Sequence, residues 1–201
     1  MPSSIRPPLL AALGALLALL AVAPVAGAAD GSCADNGPVG QVFLPDFGDP
    51  ASYYLAPGGT FEDAAWPGGT LVEGNEPHFV HDAGDGRSMA VAGGAATSPA
   101  FCVAPEDPTV RFFARRTSGD PLATLRVTAV VQNGDSELRL PLVPVLQPLG
   151  GGWDVTLPTP ILANVVALAS GGPTPVRLVL TPSPGSGWEV DDVYVDPYRR
   201  H

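Results

Sequence analysis

The amino-acid sequence predicts an all-β protein, an antiparallel β-sandwich of jelly-roll type, from three observations. Short segments alternate apolar and polar residues with a period of two, as strands with one buried face do. Turn-forming residues separate these segments, and the chain contains 24 Gly and 24 Pro. This density of Pro excludes long helices, and roughly ten strands spaced about 8–12 residues apart suit two packed sheets.

Three segments show the alternation most clearly, each with one apolar and one more polar face; they are residues 110–115, 125–132 and 176–181. Further strands are predicted at Ser52–Leu55, Thr70–Glu73, Pro77–His81, Ser88–Val91, Ala100–Val103, Glu137–Val145, Trp153–Leu157 and Trp188–Val195. Turns rich in Gly fall between them, among them Asn133-Gly134-Asp135. One segment, Ile161–Ser170, has apolar residues at helical spacing and predicts one or two short helical turns.

The first 29 residues are predicted to be a signal peptide, outside the fold. Arg6 is the only charge before Leu9–Ala23, an apolar run of 15 residues, which is shorter than the roughly 20 residues of a membrane-spanning helix. Small residues at Ala26–Ala29 suit cleavage after Ala28 or Ala29, with an uncleaved anchor as the alternative. Residues 30–201 are then expected to form one secreted domain with no membrane insertion.

The charge of the chain argues against a nucleic acid partner. Twenty Asp and Glu residues outnumber ten basic residues, all of them Arg, and the net charge is −10. A phosphate backbone is repelled by such a domain unless a basic stripe offsets the charge, and no such stripe is visible. Neutral ligands and cations remain as candidate partners.

Two cysteines, Cys33 and Cys102, are predicted to form a disulfide bond. An even number of cysteines in an exported protein indicates a bridge, because the compartment is oxidising. The bridge would close a loop of about 70 residues and stabilise the fold by roughly 4 kcal/mol on the loop-entropy model. Two free thiols are the alternative.

Two stretches of the sequence resemble the ends of the jelly-roll carbohydrate-binding modules that are often attached to bacterial xylanases and glucanases. Gly58-Gly59-Thr60-Phe61-Glu62-Asp63, followed by Trp66, is similar to the opening Gly-x-Phe-Glu and Trp of that family. Trp188–Val195 is similar to its closing strand, an aromatic residue followed by Asp-Asp-Val. The chain also resembles small secreted proteins of actinobacterial type.

The resemblance implies a structural calcium ion where the first and last strands meet. Glu62 and either Asp191 or Asp192 would supply its ligands, since Ca²⁺ prefers carboxylate and carbonyl oxygens. Adjacent residues of a regular strand point to opposite faces, so one of the two Asp side chains would turn inward. The alternative is that both carboxylates are solvated at an exposed strand end.

Residues with catalytic potential do not form a convincing constellation, and no enzymatic activity is expected. Gly86-Arg87-Ser88-Met89-Ala90 is close to a nucleophile elbow, but the segment before it is a turn and a strand follows, where the elbow needs a helix. His78 and His81 are spaced to point to opposite faces of a strand, which disfavours a shared metal ion. Asp82–Gly86 is interpreted as a turn.

The function predicted is that of a secreted, non-catalytic binding module for carbohydrate or a cell-surface component, with polysaccharide as the expected partner. Exposed aromatic rings stack on the apolar C–H faces of sugars, and the candidates near turns are Tyr54, Trp66 and Trp153. The alternative for Trp66, and more strongly for Trp188, is a place in the core. The alternative function is a structural or interaction protein of the cell envelope without a small ligand.

Overall fold

The computed structural model describes residues 36–133, 136–146 and 151–197. The predicted signal peptide, Cys33 and Gly134-Asp135 of the predicted turn lie outside these residues. In chain order the elements are α1 (Leu44–Phe47), β1 (Tyr54–Leu55), β2 (Thr70–Glu73), β3 (Arg87–Ala92), β4 (Ala96–Thr97), β5 (Phe101–Val103), β6 (Thr109–Ser118), β7 (Thr124–Asn133), β8 (Ser136–Pro141), β9 (Val145–Leu146), β10 (Asp154–Val155), β11 (Thr159–Pro160), α2 (Ala163–Ser170), β12 (Thr174–Pro182) and β13 (Gly187–Asp196).

The strands form two antiparallel sheets that pack face to face, which confirms the predicted all-β sandwich. The front sheet has the order β10-β6-β13-β3-β2, with β1 paired to β13 and β11 paired to β6. The back sheet has the order β4-β12-β7-β8, with β5 paired to β12 and β9 paired to β7. The three segments with the clearest alternation, 110–115, 125–132 and 176–181, lie within β6, β7 and β12.

The main core lies between the two sheets and follows the period-2 pattern. In β6, Val110, Phe112 and Ala114 are buried in this core, and the residues between them lie on the outer face of the front sheet. Each large apolar side chain that leaves water contributes roughly 1.5–3 kcal/mol. The largest side chains of this core include Trp66, Trp188, Phe61, Phe112, Met89, Leu125, Ile161 and Leu178.

A second apolar cluster covers one end of the outer face of the front sheet. It consists of Phe43, Tyr53, Phe113 and Tyr194, which are all buried. The chain before β1, including the short helix α1, supplies this cover. The opposite end of the outer face has no such cover, because Ala92 of β3 and Thr117 of β6 are exposed there.

The helix predicted within Ile161–Ser170 forms as α2, Ala163–Ser170. It ends at Gly171, whose φ of 77° is left-handed, and the N–H of Gly171 bonds to the preceding turn. A glycine at this position ends a helix without strain. Within the part of the chain that the structure describes, neither helix has the length and apolar character to cross a membrane.

The strand predicted at Pro77–His81 is absent, and this prediction was wrong. The segment is a loop, in which Phe79 adopts a positive φ of 51°. The buried carboxylate of Glu76 accepts hydrogen bonds from the backbone N–H groups of His78 and Val80, each at 2.5 Å. The chain therefore closes around a carboxylate instead of extending along the sheet.

Candidate functional site

A β-bulge in β13 shapes the first candidate site. Asp191 pairs with Phe113 and Tyr194 pairs with Arg111, so three steps along β13 match two steps along β6. Asp192 lies in the bulge with a left-handed φ of 48°. Alternation holds only in regular strands, and here both Asp191 and Asp192 are 0 % exposed. The prediction that only one of them turns inward was wrong for this reason.

Three carboxylates are fully buried beside this bulge: those of Glu76, Asp191 and Asp192. Both oxygens of Asp191 accept backbone N–H groups, from Glu76 and from Asp192, at 3.0 Å each. Asp192 Oδ2 accepts the backbone N–H of His81 at 3.1 Å. Asp192 Oδ1 has no hydrogen-bond partner among the described residues.

Burial and the charges of neighbouring carboxylates raise the pKa values of both Asp side chains. Burial raises the pKa of Asp191 to about 9, and the neighbouring charge of Asp192 adds to the effect. Burial also raises the pKa of Asp192 to about 7, together with the charge of Glu76. A buried carboxylate without a cation is costly to ionise, so this region favours any positive charge that can reach it.

The loop that follows Glu76 brings two more polar side chains to Asp192. Ligand atoms of His81, Asp85 and Asp192 all lie within 4.8 Å of one another. His81 Nδ1 and Asp85 Oδ2 are 2.8 Å apart, and the His81 ring is partly exposed. We call the group of Glu76, His81, Asp85, Asp191 and Asp192 the acidic site; it opens to solvent at His81.

Glu62, a ligand of the expected calcium ion, has a different role in this structure. Its Oε1 accepts the backbone N–H groups of Gly86 and Arg87 at 2.9 and 2.8 Å, which fixes the start of β3. The structure thus brings Asp192 together with His81 and Asp85, not with Glu62. Asp192 Oδ1 is a buried oxygen of the implied donor set without a partner among the described residues, and the calcium ion that the resemblance implied stays a prediction.

Sequence reasoning missed the grouping of Glu76, His81 and Asp85 with Asp192. His81 and Asp85 were considered separately, as one of two strand histidines and as part of a turn. The signal in the sequence is a series of acidic and His residues that ends in a Gly-rich turn, with a distant Asp-Asp pair. Only the fold shows that this pair, over 100 residues away, lies beneath the loop.

The second candidate site is a row of side chains on the outer face of the front sheet, beside the second apolar cluster, against which Trp153 packs. The strand register places Thr70 beside Ala90, Ala90 beside Glu189, and Glu189 beside Arg115. Asp154 of β10 pairs with Ala114 of β6, and the ring of Trp153, the residue before β10, lies beside the Arg115 guanidinium. We call Thr70, Ala90, Glu189, Arg115 and Trp153 the open row; it crosses β2, β3, β13 and β6 and ends just before β10.

The open row combines an aromatic ring, an ion pair and the small side chain of Ala90, which we call the floor of the row. Arg115 Nε and Nη2 bond to Glu189 Oε2 at 2.6 and 2.5 Å. The guanidinium of Arg115 lies 4.8 Å from the centre of the Trp153 ring, which is partly exposed. Beside the pair, Ala90 is only half-buried, so a small methyl side chain leaves the surface of the sheet accessible there.

The two other aromatic candidates lie in the interior. Tyr54 and Trp66 are each 2 % exposed. Tyr54 donates its hydroxyl hydrogen bond to Asp107, and Trp66 Nε1 donates to the carbonyl of Pro57 at 3.0 Å. The prediction that they offer ring faces to a ligand was wrong, because a residue near a turn can still point into the core. Trp188 is also buried, as its core alternative predicted.

Ser88 and Cys102 are buried as well. Ser88 Oγ has no hydrogen-bond partner among the described residues, so no described base activates it. Cys102 lies in β5 and is not a free thiol. Its predicted partner, Cys33, lies outside the described residues, and the pairing therefore stays a prediction.

Comparisons with known proteins yield only distant structural similarity. No protein-family model matches the chain, and no curated protein matches its sequence. It is similar to the structure of TmCBM61 in complex with β-1,4-galactotriose, at 10% identity and a TM-score of 0.31, over 64% of this chain and 81% of that chain. It is also similar to the Agl-KA catalytic domain, at 12% identity and a TM-score of 0.37, over 73% of this chain and 27% of that chain. What this chain binds must follow from its own residues.

Proposed function

We propose that this protein is an exported, non-catalytic β-sandwich module that binds carbohydrate along the open row. The observation that carries the proposal is the partly exposed ring of Trp153 next to the Arg115–Glu189 pair and the floor at Ala90. The C–H faces of a sugar stack on an aromatic ring, and its hydroxyl groups need charged or polar partners nearby. The open row supplies both on one surface.

The open row offers both hydrogen-bond donors and hydrogen-bond acceptors to the hydroxyl groups of a sugar. Both of these bonds from Arg115 go to Oε2 of Glu189, and a carboxylate oxygen such as Oε1 can accept a hydrogen bond from a sugar. Thr70, at the other end of the row, is exposed, and its hydroxyl can donate or accept. Because the chain has a net charge of −10, a neutral polysaccharide fits this domain better than a strongly anionic one.

Export is the second part of the proposal. It rests on the apolar run Leu9–Ala23 and the small residues Ala26–Ala29, which suit signal peptidase. Mass spectrometry of protein from the culture medium is expected to show a mature chain that begins at Ala29 or Asp30. Retention of the first 29 residues would contradict this part alone and would leave binding on the open row untouched.

Binding is tested with a panel of insoluble and soluble neutral polysaccharides. Trp153→Ala removes the ring, and Ala90→Gln fills the floor without removing a core contact. Each is expected to weaken retention at least tenfold, as the loss of a central binding residue does. Phe79→Ala is the matched control, because Phe79 is an exposed aromatic residue outside the open row.

Two results would overturn the carbohydrate proposal. One is that the unmodified protein retains no polysaccharide of the panel. The other is that Phe79→Ala weakens binding as much as Trp153→Ala while Ala90→Gln has no effect, since the ligand would then lie elsewhere.

A second candidate function, protein interaction at the cell surface, is favoured by the outer face of α2. Leu162, Val165 and Leu168 are exposed there at spacings of one helical turn. Exposed apolar side chains that cluster often mark a contact surface. Loss of a pulled-down envelope protein on Val165→Glu, with polysaccharide binding unchanged, would support this function in addition to the first.

A further inference from the structure

We infer that His81, Asp85 and Asp192 bind a divalent transition-metal ion of the zinc class. This site is separate from the open row, and the inference goes beyond the proposed carbohydrate binding. It rests on the convergence of three ligand atoms within 4.8 Å of one another and on a fully buried carboxylate oxygen, Asp192 Oδ1, without a partner.

The buried oxygen is the stronger of these observations. Asp192 is 0 % exposed, and a buried carboxylate normally finds a donor or a cation for each oxygen. The backbone N–H of His81 holds Oδ2 at 3.1 Å, so the carboxylate is already oriented when Oδ1 takes a ligand. The bulge that places Asp192 in a left-handed conformation is thereby explained as a device that aims this side chain.

The donor set selects the class of ion. Ca²⁺ and Mg²⁺ take oxygen ligands almost exclusively, whereas an imidazole nitrogen with carboxylate oxygens suits Zn²⁺ and related ions. Three protein ligands with the fourth position open to solvent form a common zinc arrangement. His81 is partly exposed, which gives an ion its entry path.

The distances require only a small adjustment. Zinc bonds of roughly 2.0–2.1 Å in a tetrahedral arrangement hold the ligand atoms roughly 3.3 Å apart. His81 Nδ1 and Asp85 Oδ2 are already 2.8 Å apart, so the ion replaces the proton between them. In the turn Asp82–Gly86, the N–H of Gly84 donates to Asp82 Oδ1 and the N–H of Asp85 donates to the carbonyl of Asp82, so the adjustment falls on the side chains of His81 and Asp85.

The surrounding charge favours any cation at this place. Glu76 and Asp191 are buried next to Asp192, and in the described chain no Arg forms an ion pair with Glu76, Asp85, Asp191 or Asp192. A metal ion would link the loop 76–86 to β13, because His81 and Asp85 lie in the loop and Asp192 lies in β13. The ion would therefore stabilise the folded state by binding only to it.

The test uses tag-free secreted protein that has been treated with a chelator and dialysed. Zn²⁺ is expected to bind with a stoichiometry of one in calorimetry and to raise the melting temperature. Co²⁺ in its place should give the visible absorption bands of a low-coordinate nitrogen and oxygen site. His81→Ala and Asp85→Asn are each expected to weaken Zn²⁺ binding at least tenfold.

His78→Ala is the matched control, because His78 lies in the same loop and is partly exposed but belongs to no converging group of ligand atoms among the residues that the structure describes. It should bind Zn²⁺ as the unmodified protein does. Asp192→Asn gives a second signature: Asn accepts the left-handed conformation, so the protein should fold, melt at a higher temperature in chelator, and gain nothing from Zn²⁺.

Three outcomes would overturn the inference. One is equal Zn²⁺ binding by His81→Ala and the unmodified protein. Another is a larger gain in melting temperature with Ca²⁺ than with Zn²⁺ that His81→Ala does not reduce, which would point to an all-oxygen site around Asp192. The third is a melting temperature of the unmodified protein that neither ion changes. None of these results bears on polysaccharide retention by the open row, so the two proposals fail separately.

Discussion

Two groups of charged side chains lie on the outer face of the front sheet. In one group positive and negative charges are paired, and in the other negative charges are in excess. Arg111 of β6 forms an ion pair with Asp49, and its Nε donates to the carbonyl of Thr156 at 3.0 Å. Tyr53 donates a further hydrogen bond to Asp49 at 2.8 Å. The Arg111 guanidinium also lies 4.6 Å from the centre of the Phe43 ring. The charge of Arg111 is therefore neutralised and hydrogen-bonded by other residues of the chain itself.

The acidic site lies nearby on β13 and has no such cation. Glu76, Asp191 and Asp192 are as deeply buried as Arg111 or more so. His81 is the only basic side chain that the described chain places among them. The comparison teaches that charges are buried on this face in two ways. The charge of Arg111 is neutralised by Asp49 within the chain, whereas the acidic site keeps an excess of negative charge unless a proton or a cation binds.

The largest effect is expected when the Arg111–Asp49 pair is broken. Arg111→Met leaves the half-buried Asp49 without its cation and should lower the free energy of unfolding by about 3 kcal/mol. Urea denaturation measures it. The double variant Arg111→Met with Asp49→Leu is the control, and it should recover much of the loss. A single variant as stable as the unmodified protein would show that the pair is not desolvated.

The opposite sign is expected in the acidic site. In chelator at pH 8, Asp192→Asn removes a buried negative charge with an unpartnered oxygen and should raise the free energy of unfolding by about 1–3 kcal/mol. The same urea denaturation applies, with Asp49→Asn as the matched control, which should be destabilising. Two variants that change stability in the same direction would abolish the contrast between the two groups.

The pH dependence of the metal-free protein follows from the same contrast. The pKa values of Asp191 and Asp192 are raised to about 9 and about 7, so the folded state holds protons that the unfolded chain has released. Their stabilising effect is complete below the unfolded pKa of about 4 and is lost as the pH rises through about 7 and about 9.

Thermal melting in chelator between pH 5 and pH 9 measures this effect. The melting temperature should fall across the window, and Asp192→Asn should fall less steeply than the unmodified protein. A melting temperature that rises with pH in chelator would contradict the account of the acidic site.

The smallest effect sharpens the comparison between the two ion pairs. The side chain of Arg115 is 30 % exposed against 9 % for Arg111, while the carboxylates of Glu189 and Asp49 differ little, at 14 % and 18 %, and water screens a charge that it reaches. Arg115→Met should therefore lower the free energy of unfolding by only about 1 kcal/mol. A loss as large as that of Arg111→Met would show that exposure does not separate the two pairs.

The regular part of the fold could be predicted from the sequence, because alternation reports which face of a strand is buried. The residues 110–115 gave β6, and Ile161–Ser170 gave α2. Pro77–His81 was predicted wrongly because its apolar residues Phe79 and Val80 lie between turn-forming segments, as in a short strand, while the Glu76 carboxylate that closes the loop leaves no local pattern. Local pattern cannot show where a distant carboxylate will find its donors.

The candidate site could be predicted only in part for the same reason. Asp191-Asp192 was recognised as important, but the bulge that buries both residues depends on the register between β13 and β6. Trp153 is partly exposed and its role in binding stays a prediction, whereas Tyr54 and Trp66 near turns are core residues. Exposure of a large aromatic residue depends on the packing of two sheets, which the sequence does not state.

The most direct test of the acidic site is anomalous diffraction at the zinc absorption edge, from crystals of the tag-free protein grown with Zn²⁺. The account predicts one strong anomalous peak bonded to His81, Asp85 and Asp192, beneath the loop 76–86. A peak bonded to Glu62 and Asp191 without His81, or no peak at this place while Asp192 Oδ1 bonds to a protein donor, would contradict it.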